Sequence, residues 1–113
     1  MADVRYAEDF IAVRPREAVE ARAAELIAHC ERRTDSDARG ALAVHAWALD
    51  PAGPAPVSGR VLTDPLAEID LAVEERAAIQ RARDVERPGA ERAFARGAAA
   101  ALQWLLGFQP IGF

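Results

Sequence analysis

Two histidines, one cysteine and a scatter of carboxylates are the side chains of this 113-residue chain with the means to do chemistry. His29, Cys30 and His45, with Glu25 one turn before His29, supply the atom types of a zinc site, and Glu25 and His29 at i, i+4 share one helix face. No Cys-x-x-Cys or His-Glu-x-x-His pair accompanies them. Cys30 sits in the middle of an apolar stripe, where a small hydrophobe belongs. His29 reads as a hydrogen-bonded or solvent-facing side chain and His45 as a packed one. No metal, cofactor or catalytic residue is expected. The alternative is a small helical enzyme, or an enzyme's accessory subunit, with His29 or His45 as its acid/base group.

The carboxylates invite a second chemistry. Glu17 and Glu20 at i, i+3, and Glu68, Asp70, Glu74 and Glu75 further on, bring to mind the helical magnesium-dependent nucleotide pyrophosphohydrolases, which face paired carboxylates across two helices. That chemistry needs a second acidic pair on the next helix, and there is no acidic residue between Asp37 and Asp50. Solvated helix faces account for these residues, and Asp70, Glu74 and Arg81 are expected to line one. Ser36 and Ser58 lack a Gly-x-Ser-x-Gly elbow, and no Gly-rich phosphate loop is present.

Charge is distributed unevenly. Residues 76 to 96 carry six Arg against three acids, whereas residues 1 to 75 sum to −7 within an overall −4. The Arg81 to Arg96 region therefore keeps a third reading alive, a nucleic-acid-binding regulator. Against it stand a pI near 5.2, no dense Arg run and no aromatic stacking platform, so nucleic acid is not the expected partner.

The elements that must position these residues are helical. Pro15 opens a first helix over about 15–33, with Glu17 and Glu20 near its positive end, Arg32 and Arg33 near its negative end, and Val19, Ala23, Leu26, Ile27 and Cys30 as its stripe. Thr34-Asp35-Ser36-Asp37 supplies caps for a second helix that ends at Leu49. That helix is apolar nearly all round and should lie between neighbours; Gly40 within it costs about 1 kcal/mol against Ala. Residues 51–61 form a Pro/Gly-rich loop or linker. Asp64-Pro65 opens a third helix running to about Arg83, with Leu66, Ile69, Val73 and Ala77 as its stripe. A fourth spans about 90–106, with Gly107 at the left-handed C-terminal position. Residues 1–14 are an arm, helical or extended, and 108–113 an apolar tail.

These elements predict an all-α fold, one domain over 1–113: a small bundle of four main helices in which sequential neighbours pack antiparallel. Its expected core is Val19, Leu26, Ile27, Cys30, Leu42, Ala46, Leu49, Leu66, Ile69, Val73, Phe94, Ala98, Ala101 and Leu105. Apolar residues make up 51% of the chain, but 27 are Ala, so the core must be thin. The length excludes a second domain and the composition excludes a disordered chain. A single cysteine and no leader-like N-terminus point to a reducing cytoplasm, and no stretch approaches the roughly 20 apolar residues of a membrane span. Arg entirely replaces Lys, which with the Ala excess suggests a GC-rich bacterial genome.

The succession His45-Ala46-Trp47-Ala48-Leu49, Pro56-Val57-Ser58-Gly59-Arg60 and Ala101-Leu102-Gln103-Trp104-Leu105-Leu106-Gly107 resembles small uncharacterised helical proteins of actinobacteria over residues 40–107. The resemblance implies a bacterial helical protein and carries no activity or site with it. Helix four decides the functional expectation. Its polar side is narrow, Ala93, Gly97 and Ala101 form a groove that admits another helix backbone, and large apolar side chains follow. The expected function is a non-catalytic protein–protein interaction or accessory subunit, pairing with itself as a homo-oligomer or with a larger bacterial protein. The expected interaction residues are Phe94, Gly97, Ala101, Trp104, Phe108, Ile111 and Phe113.

Overall fold

The computed structural model describes residues 9–108. Its elements are a hairpin of two-residue strands, β1 (Phe10–Ile11) and β2 (Arg14–Pro15), followed by α1 (Arg16–Arg32), α2 (Ser36–Leu49), α3 (Glu68–Arg83) and α4 (Gly89–Leu105). The fold is an all-α bundle of four helices, and no helix among the described residues is long and apolar enough to cross a membrane. The arm is extended where it is described: Phe10 pairs with Pro15 and Ile11 with Arg14, antiparallel, across a turn whose first residue, Ala12, has φ 54°.

Local chemistry sets the helix ends. Asp35 caps α2 by accepting the Ala38 N–H at 3.2 Å. α3 starts at Glu68, later than Asp64-Pro65 suggested, because Asp70 reaches back to accept the Ala67 N–H at 2.9 Å and closes the first turn there. Gly107 ends α4 at φ 88°, the left-handed position a glycine takes without strain.

Packing departs from sequence order. α4 lies between α2 and α3, packing most extensively on α2, while α1 lies on the other side of α2. α2 and α3 therefore make no extensive contact with each other: the long connection over 50–67 lets α4 insert between them. α2, apolar all round, is sandwiched between α1 and α4 as its composition requires. The core is thin and Ala-rich. Ala48, Ala78, Ala98, Ala99 and Ala101 are buried among Val19, Val44, Trp47, Leu71, Leu102 and Leu105.

Four expected core residues lie outside. Ile27, Ala46, Ile69 and Val73 are exposed, and Leu26, Cys30, Leu42, Leu49, Leu66 and Phe94 are half-buried. On α2 the inward side carries Val44, His45, Trp47 and Ala48. On α3 the inward side is Leu71, Glu74 and Ala78, nearly opposite the expected stripe. The cause is Glu74. An apolar-periodicity argument places a carboxylate in water, yet this one is fully buried and accepts the Val57 N–H at 2.6 Å and the Ser58 N–H at 3.1 Å. Two backbone donors compensate the buried anion, so the helix can turn that face inward. The same bonds dock the Pro/Gly-rich segment, with Ala55 and Val57 in the core, so it is an ordered loop and not a linker.

Candidate functional site

The two histidines occupy opposite environments. His29, in the last turn of α1, places Nε2 2.9 Å from Asp35 Oδ2, while the other Asp35 oxygen caps α2. The His29 hydrogen bond, followed by the Ala38 N–H, holds the Asp35 carboxyl below its ordinary value. The pair therefore clasps the end of one helix to the start of the next. A shallow hollow beside it is lined by Arg22, Glu25, Leu26, His29, Arg32 and Ala38, which include no hydroxyl or thiol to act as nucleophile.

His45 is fully buried, and neither ring nitrogen has a hydrogen-bond partner among the described residues. Its ring meets Trp104 edge to face, with centroids 5.6 Å apart. The Trp104 ring in turn carries the guanidinium carbons of Arg14 at 4.6 Å and Arg22 at 4.4 Å, and Arg14 Nε donates to the Trp104 carbonyl at 2.7 Å. Burial, and then the positive charge of Arg22, pushes His45 down to about 4, so the imidazole is neutral at pH 7. Among the described residues the His45 ring is thus fully covered. Among the described residues no three of His, Cys, Asp and Glu converge as metal ligands.

The residues expected to form the interaction surface separate. Gly97 and Ala101 are buried within the chain, because the groove they form with Ala93 receives α2. Phe94 and Trp104 are half-buried, the latter beneath its two arginines. Phe108 is 56% exposed, and Ile111 and Phe113 lie outside the described residues. The broad apolar circumference of α4 is covered on two sides by α2 and α3, and at its C-terminal end by the hairpin, whose Val13 N–H donates to the Leu105 carbonyl at 3.4 Å.

One line of uncovered apolar side chains lies on α3. Among the helices, α3 packs extensively on α4, and the loop is docked on it through Glu74; the side away from its buried Leu71, Glu74 and Ala78 presents Ile69, 67% exposed, and Val73, 39% exposed, beside Ala72, Arg76, Ile79 and Arg83. Val61, 65% exposed, shares a hollow with Ile69 and extends the patch. Spacing alone made Ile69 and Val73 core residues; the buried Glu74 turned them to the surface. Of the arginines between 76 and 96, Arg87 is paired with Asp84 and Glu91, Arg92 donates to the Ala82 carbonyl, and Arg96 is held bidentately by Asp37 at 2.8 and 3.1 Å. Half of that positive charge is thus engaged within the chain. Comparison with protein-family models, with curated proteins and with solved structures returned no match.

Proposed function

We propose that this protein is a non-catalytic interaction module that binds another protein through the outer face of α3. The observation that carries the reading is the exposure of Ile69 and Val73 in line on the side of α3 away from its buried Leu71, Glu74 and Ala78. Branched aliphatic side chains held rigidly in water lose little entropy on docking and gain roughly 25 cal/mol per Å² of apolar area covered. Charged neighbours on the same face give such a contact specificity. The exposed Phe108 forms a second, separate apolar edge at the end of α4. The enzyme reading is less well supported: His45 is sealed and His29 is occupied with a helix clasp.

A photo-crosslinking residue placed at position 73 tests the proposal in living cells, with the same residue at exposed position 17 of α1 as the control. Covalent protein adducts at 73 and not at 17 are the expected result. No adduct at 73, or equal adducts at both positions, overturns it.

A further inference from the structure

The occupant of the α3 face can be read from the charges that border it. Ile69, Ala72, Arg76, Ile79 and Arg83 follow one another at alternating spacings of three and four, the seam of a two-helix contact. Its central member is Arg76, which an apolar partner surface would leave unpaired. Glu68 and Glu75 stand one turn to either side of Ala72 on the flank of the same face. None of Glu68, Glu75, Arg76 and Arg83 takes part in an ion pair among the described residues. Glu75 and Arg76 are mid-helix, too far from either end for the helix dipole to explain their signs.

We infer that the partner is a second copy of this chain, its α3 laid antiparallel on the first; the inference rests on the α3 reading above. In the register that sets Ile69 against the second copy's position 79, each Arg76 falls over the other copy's Ala72. There the small side chain leaves room for a guanidinium, and Glu68 and Glu75 flank it. The arrangement is its own complement under a two-fold axis: at each end the exposed Ile69 meets the outer edge of Ile79, which is half-buried against its own core, and two Arg-over-Ala contacts bordered by acids lie at the centre. A parallel pair would instead set Arg76 against Arg76, at a like-charge cost.

Sedimentation velocity on the full chain tests this, using Arg76→Glu and the double variant Glu68→Arg/Glu75→Arg. All three positions are at the surface or its edge, so folding, checked by circular dichroism, is unaffected. The wild type is expected to sediment as a dimer at micromolar concentration in low salt, each variant alone as a monomer, and an equimolar mixture of the two variants as a dimer. Only an antiparallel contact of Arg76 with Glu68 and Glu75 restores both charge sets in the mixture. A monomeric wild type, or a mixture that stays monomeric, overturns the inference. Adducts at position 73 to proteins other than this chain, with a monomeric wild type, would preserve the α3 reading while removing the self-pairing.

Discussion

Gly40 of α2 and Gly97 of α4 mark one helix crossing from its two sides. A Cβ on Gly40 would fall on the Phe94 carbonyl, and a Cβ on Gly97 would fall on the Asp37 carbonyl. Each glycine lets its helix rest on the backbone of the other, which is how an Ala-rich core closes without large side chains. Helix propensity favours Ala over Gly by about 1 kcal/mol, so Gly40→Ala and Gly97→Ala would stabilise an isolated helix. Here the clash is with backbone that cannot turn away. Each substitution is expected to destabilise the protein by at least about 2–3 kcal/mol in urea unfolding, while Gly53→Ala, with open space around it, leaves the midpoint nearly unchanged. Equal midpoints for all three would show that the helices do not touch in this way.

His45 supplies a prediction in pH. Its imidazole is held neutral at about 4 in the folded chain, against an ordinary value of 6.5 once unfolded. Between those values the unfolded chain binds a proton that the folded chain refuses, so stability is full above about pH 6.5 and falls as the pH drops towards 4. The loss amounts to at most about 3 kcal/mol. His45→Leu removes two unpartnered buried nitrogens together with the edge contact to Trp104, effects of similar size and opposite sign. The variant is expected to match the wild type within about 1 kcal/mol at pH 8 and to exceed it at pH 5. Parallel stability curves over this range would show that His45 is not protected from protonation.

The helices were legible in the sequence because their ends are written in local chemistry: Asp35 before α2, Gly107 after α4, Pro51 and Pro88 in the breaks. The close approach at Gly97 was also legible from the four-residue recurrence of small side chains, although its partner, α2, was not. Two things were hidden. Which helices neighbour one another depends on where the 50–67 connection travels, and nothing local records that path. The orientation of α3 depends on Glu74 finding two N–H donors seventeen and sixteen residues away. Periodicity weighs a side chain by its own polarity and cannot see a distant partner, so the one residue that orients α3 was read as solvent-facing, and with it the exposed Ile69 and Val73 were read as core.

Ala12 carries a backbone prediction. It opens the hairpin turn at φ 54°, a conformation in which its Cβ crowds the following carbonyl. Glycine enters this region freely but makes the unfolded chain more flexible, which offsets part of the relief. Ala12→Gly is therefore expected to be neutral or to stabilise by up to about 1 kcal/mol in thermal unfolding. A clear loss of stability would mean that the Ala12 methyl contributes more through packing than its backbone costs.

Glu74 links α3 to the loop, and its removal should be felt in both. Glu74→Ala leaves the Val57 and Ser58 N–H groups without their acceptor and opens a cavity against α3, at an expected cost of about 3 kcal/mol. Glu74→Gln retains one acceptor oxygen and loses the charge that strengthens both bonds, so about 1–2 kcal/mol is expected. Amide hydrogen exchange separates this mechanism from a general loss of packing. Val57 and Ser58 should exchange much faster in Glu74→Ala under conditions where the α4 amides stay protected, because the loop loses its tether while the α2–α4 contact keeps its own. If the 55–59 amides and the α4 amides accelerate together, the loop is held by the core as a whole and the carboxylate is not its anchor.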